Sequence, residues 1–112
     1  MLERSFVRII PRNAITVVIE NQGLPFAYGV VANISEAGVC VWTNGRFKVG
    51  DSLVLRLSFA REPQPFQASG VIVWGDALAE RGAGSDVRYG LQWGPVPPPA
   101  KEHLRTLITA SA

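Results

Sequence analysis

Residues 52–60 read SLVLRLSFA, and their alternation constrains the fold more than any other stretch. Leu53, Leu55, Leu57 and Phe59 fall on one side of an extended chain, with Ser52, Arg56 and Ser58 on the other. A helix would scatter the four apolar side chains, whereas a strand repeats every two residues and aligns them. Such a strand must cover its apolar face with further strands, and the sequence supplies them. AITVVIE (14–20) alternates Ile15, Val17 and Ile19 against Thr16 and Glu20. AYGVVANI (27–34), GVCVWT (38–43), FQASGVIVWGD (66–76) and DVRYGLQW (86–93) are rich in β-branched and aromatic residues. The breaks carry turn chemistry: Asn44-Gly45 within TNGR (43–46) predicts a two-residue turn, and EPQP (62–65) and ERGAGS (80–85) predict loops. Helical spacing appears once. After Pro97, Pro98 and Pro99, AKEHLRTLI puts Ala100, Leu104, Leu107 and Ile108 on one stripe. Proline in the first turn costs nothing there, because that N–H has no helical partner. The set predicts an all-β fold, a small six-stranded antiparallel β-barrel with a C-terminal α-helix.

Composition bounds the function. A chain of 112 residues, 47% hydrophobic and 18% charged, has enough apolar surface for one folded domain. Arg4, Arg8 and Arg12 against Glu3 leave +2 in the first dozen residues, and the whole chain carries +2, so the remainder is balanced. That distribution favours a local anion site over a basic surface and speaks against binding a nucleic-acid polymer. Cys40 is the only cysteine, so an internal disulfide is ruled out. No apolar run approaches the ~20 residues of a membrane-spanning helix, and no signal-peptide pattern opens the chain. The expectation is a cytoplasmic protein without membrane insertion, read equally as a whole chain or as a domain of a longer one.

Two polar stretches stand out. Arg4 and Arg8 in RSFVR lie four apart and Arg12 continues the spacing, so the three share a side of a helix or of an extended arm. One reading is a solvated basic terminus. The other is an anion clamp, since the guanidinium fork fits a phosphate or the O6/N7 edge of guanine. NISEAG (33–38) gathers an amide, a hydroxyl, a carboxylate and a glycine between two apolar runs. Its plain reading is a hairpin in which Asn33 or Ser35 bonds local backbone and Gly38 permits an unusual φ. Trp74 and Trp93 end β-branched runs and are expected in the core, Cys40 is expected as a small core residue, and His103 is expected to face solvent. Gly82–Gly84 reads as loop, since no strand–helix unit surrounds it. No His/Cys or His/Ser pair, metal-ligand cluster or G-x-S-x-G elbow supports catalysis, so the chain is expected to be no enzyme and to hold no metal or cofactor.

Taken together, RSFVR at 4–8 and NISEAG at 33–38 resemble the R-x-x-x-R and [D/N]-x-S-x-x-G motifs of the PilZ domain, the bacterial receptor module for cyclic di-GMP. FKVGDSLVLRL (47–57), GVIVW (70–74) and YGLQW (89–93) resemble further parts of the same pattern. The resemblance implies a flexible N-terminal arm over residues 1–12 and a barrel with its helix over 13–112. It also implies ligand contacts from Arg4, Arg8, Asn33 and Ser35, with Gly38 letting the backbone turn beneath a base. Arg12 and Trp42, on the arm and just past NISEAG, are additional candidates for contact. Asn33 stands where the family more often has aspartate; its carbonyl accepts a guanine N–H without charge assistance. The implied function is a signalling module that changes arm and surface on binding cyclic di-GMP. It would thereby regulate a partner protein or fused domain in motility, biofilm or exopolysaccharide synthesis. The alternative is a ligand-independent interaction adaptor.

Overall fold

The computed structural model describes residues 7–76 and 86–112; Arg4 and the ERGAGS loop, with its Gly82–Gly84 segment, lie outside the described residues. Its elements are β1 (Thr16–Asn21), β2 (Leu24–Ile34), β3 (Gly38–Thr43), β4 (Ser52–Ser58), β5 (Phe66–Gly75), β6 (Val87–Trp93) and α1 (Pro98–Ser111). All strand pairs are antiparallel and the order β1-β2-β3-β6-β5-β4 closes into a barrel, which leaves no open sheet edge. The six strands and single helix match the expected fold class.

The alternation read from the sequence is the one that folds. Ile15, Val17 and Ile19 of the β1 segment and Leu53, Leu55, Leu57 and Phe59 of the β4 segment are buried inside, as are Val87, Tyr89, Leu91 and Trp93 of β6. Leu104, Leu107 and Ile108 of α1 join the same cluster, with Ala100 packed against it. His103 is exposed. The helix opens on Pro98 after an extended Pro97, as the proline run predicted.

One turn expectation is corrected. Asn44-Gly45 is no two-residue hairpin, because β3 and β4 are not neighbours. Residues 44–51 instead cross one end of the barrel. Asn44 Oδ1 accepts the Tyr28 N–H at 2.9 Å, and Phe47 is half-buried against Phe26 and Tyr89. The two-residue hairpin lies at Gln22-Gly23 between β1 and β2, both with positive φ (55° and 81°), as such a turn demands.

Candidate functional site

NISEAG joins β2 to β3, and its four polar or small residues do four different things. Asn33 lies on the outer wall and accepts a hydrogen bond from Arg8 Nη1 at 2.6 Å. The two motifs, far apart in sequence, therefore meet. Ser35 is 1% exposed. Its hydroxyl oxygen accepts the Ala37 and Gly38 N–H groups, and its carbonyl accepts the Trp93 indole N–H at 3.0 Å. The side chain thus holds the turn from within. Glu36 reaches across to Arg105 on α1 at 3.0 Å, and that partner holds its carboxyl below the usual glutamate range despite partial desolvation. Gly38 needs no unusual φ; a Cβ there would sit 2.2 Å from the Leu91 carbonyl oxygen, so glycine is required for β3 to approach β6.

The arm is fastened over its described part. Ile9 and Ile34 exchange both backbone hydrogen bonds, at 2.9 and 3.0 Å, and Ile9 packs against the core. That bridge puts Arg8 beside Asn33. The Arg12 N–H donates to the Ser111 carbonyl, and Arg12 lines a cleft with Asn13, Phe59, Arg61 and Ser111 at the far end of α1. The structure therefore brings Arg8 to Asn33 and leaves Arg12 apart from them.

The outer wall beyond Asn33 also carries Trp74, Trp42 and Arg88. Trp74 was expected in the core and is corrected: it is 42% exposed. The cause is a bulge in the β5–β6 pairing, where Ile72 faces Leu91 but Trp74, two residues on, faces Gly90. Val73 is the extra residue, and it shifts the alternation so that Trp74 turns outward. Trp93, by contrast, is buried as expected. A second bulge, between Val31 and Asn33 opposite Val41 and Cys40, turns Asn33 outward in the same way. Arg88, which no sequence motif marked, places its guanidinium carbon 5.3 Å from the Trp42 ring centre and 5.6 Å from that of Trp74. Trp42 is 38% exposed. Cys40 is buried but belongs to this wall rather than the core cluster. Burial pushes its thiol up, opposed by Arg88 and then Arg8, so both cations act on the middle of the wall. The alternation of GVCVWT and DVRYGLQW already put Cys40, Trp42, Arg88 and Gly90 on one face; the bulge that adds Trp74 left no local signal.

Among the described residues, no cluster of His, Cys, Asp and Glu is placed to hold a metal ion, and no helix is long and apolar enough to cross a membrane. Known structures share this fold. The PilZ domain of YcgR from Escherichia coli with c-di-GMP superposes with a TM-score of 0.76 at 10% identity, over 98% of this chain and 92% of that one. A second E. coli YcgR structure in complex with c-di-GMP gives 0.71 at 11% identity, over 96% and 45%. The Bacillus subtilis inhibitor of motility MotI/DgrA gives 0.69 at 17% identity, over 99% and 50%. The chain thus spans about half the length of the latter two. No curated protein sequence matches significantly. The PilZ domain family pattern matches residues 2–110, and the chain, with its barrel and helix, belongs to the PilZ domain family.

Proposed function

We propose that this chain is a cyclic di-GMP receptor module. The observation that carries the reading is the Arg8–Asn33 hydrogen bond, which joins the two motifs on the outer wall of the barrel. A forked cation beside a neutral amide suits a ligand that carries both phosphate charge and guanine edges. In this reading Arg8 swings from Asn33 onto the ligand, Arg4 adds a second cation, and Asn33 bonds a guanine N–H. Ser35 and Gly38 contribute by fixing the turn that presents Asn33. The YcgR structures were solved with c-di-GMP on the same fold, which supports the ligand class. The module acts by binding rather than catalysis, from the cytoplasm. Ligand capture changes the arm and the adjoining surface and so regulates a protein partner or fused domain in motility, biofilm or exopolysaccharide synthesis.

Isothermal titration with cyclic di-GMP, against cyclic di-AMP and GTP as controls, tests this directly. Saturable heat with cyclic di-GMP alone is expected; no heat at any concentration contradicts it. The second reading, a ligand-independent adaptor, is favoured by one observation. Leu24, Phe26 and Tyr28 on β2 are 70%, 57% and 58% exposed. That reading predicts a silent titration.

A further inference from the structure

We propose that the cleft between the end of α1 and the turn after β4 is a docking site for an acidic peptide segment of a partner protein, held by Arg12 and Arg61. The proposal extends the receptor reading above, which needs a partner, to a surface apart from both motifs. The cleft is formed without nucleotide, so the two readings can fail separately.

Three parts of the chain build this cleft, which encloses about 420 Å³, the scale on which folded proteins hold small ligands. Its floor is apolar: Ile15, Phe59 and Leu107 line it and are all buried. Its rim is polar and exposed, with Arg12 and Asn13 ahead of β1 and Arg61 and Glu62 after β4. The Arg12 N–H is fixed to the Ser111 carbonyl at 2.8 Å, and the Glu62 N–H closes a turn onto the Phe59 carbonyl at 3.2 Å. Both guanidinium groups are therefore carried by anchored backbone.

Two observations point these arginines at something outside the chain. Elsewhere Arg8 bonds Asn33, Arg56 and Arg105 pair with carboxylates, and Arg88 lies against two indoles. Among the described residues, the Arg12 and Arg61 guanidinium groups have no such partner. Arg61 also takes a φ of 69° at the third position of the Phe59–Glu62 turn, where glycine or asparagine fits at lower cost. A cation placed only to offset the helix C-terminus would donate to the last carbonyls. Here the Arg12 backbone does that, and its side chain is left over.

The ligand class follows from the lining. Two guanidinium forks over an apolar floor fit a carboxylate and an apolar side chain presented together, which an acidic peptide with aliphatic residues offers. An inorganic anion would engage the forks and make no use of the floor. Glu62 offsets one of the two charges, so the cleft suits one or two carboxylates rather than a polyanion. Residues 8 to 12 run from the Asn33 contact to this cleft in one short segment, so an arm that moves on ligand capture carries Arg12 with it.

The test is fluorescence anisotropy of a labelled peptide of alternating Glu and Leu residues, titrated with the full chain. A Gln-for-Glu peptide and inorganic phosphate serve as competitors. Saturable binding of the Glu peptide is expected, displaced by neither competitor at matched concentration. Arg12→Ala and Arg61→Gly should each weaken it roughly tenfold, the scale of one hydrogen bond to a charged group. Arg61→Gly relaxes the turn, so its melting temperature should hold or rise and its loss of binding cannot come from misfolding. Glu62→Gln should tighten binding. The proposal is overturned by no saturable binding, by displacement with phosphate at matched concentration, or by Arg12→Ala and Arg61→Gly that bind like the wild type. A silent titration with cyclic di-GMP while the peptide binds would remove the receptor reading and leave this cleft standing.

Discussion

The walls of this barrel are built by two different rules. β4 pairs with β1 and β5 without a break in register, and its side chains alternate in and out along its whole length. The pairings of β1 with β2, of β2 with β3 and of β5 with β6 each slip by one residue, and the latter two flank the outer wall beyond Asn33. The regular wall buries Leu53, Leu55 and Leu57 and carries no candidate ligand residue. Beside the β2–β3 and β5–β6 slips stand Asn33, Cys40, Gly90 and Trp74, with Arg8, Trp42 and Arg88 around them. Regular alternation makes a core cheaply, since every second side chain packs against others of its kind. A bulge gives up a ladder pairing and, in exchange, aims one side chain where the pattern would not.

The comparison breaks if changes on the two walls act alike. Leu55→Ala, in the regular wall, should cost about 2–5 kcal/mol of stability by lost transfer and cavity formation. Urea unfolding would measure it, and the folded fraction should bind ligand as before. Arg8→Ala should do the reverse. It should cost about 1.5–3 kcal/mol of ligand affinity, a ten- to hundredfold loss, with an unchanged melting temperature. Gly38→Ala stands between the two, because it strains the turn that presents Asn33. Its methyl would press on the Leu91 carbonyl, for about 1–3 kcal/mol of stability, together with weaker binding.

The smallest effect is expected from acid. Arg105 holds the folded-state Glu36 carboxyl below its ordinary value of 4.5, so the pair stabilises the docked helix above that value. The contribution is lost as pH falls below 4.5 through the folded-state value. Both partners are partly exposed and screened by solvent, so the change should be modest. Amide exchange in α1 between pH 6 and 3 would read it, and Glu36→Gln should flatten that pH dependence.

What the sequence disclosed follows the same division. The β1 and β4 segments, the helix stripe and the two motifs were legible because each depends on spacing within one segment. The bulges were not, since a slip belongs to the pairing of two strands and neither strand shows it alone. GVIVW therefore pointed Trp74 inward, and only its pairing with Gly90 turns it out. Asn44-Gly45 misled for a related reason. The dipeptide favours a tight turn locally, but the barrel order sets β3 and β4 apart, and Gln22-Gly23 makes the hairpin instead. The family resemblance marks NISEAG as one candidate contact stretch and does not divide it into parts. Ser35 is held inward with its carbonyl on the Trp93 indole, and Asn33 is turned outward by the β2–β3 bulge to meet Arg8, so both orientations depend on residues distant in sequence.

The most direct test of the account is an amide and indole N–H map of the chain during titration with cyclic di-GMP. The account predicts shifts at Arg8, Asn33, Cys40, Gly90 and the Trp74 indole, with β4 still. The Trp93 indole, bonded to the Ser35 carbonyl, should move far less than that of Trp74. Shifts confined to Leu24, Phe26 and Tyr28, or none at Arg8 and Asn33, would contradict it.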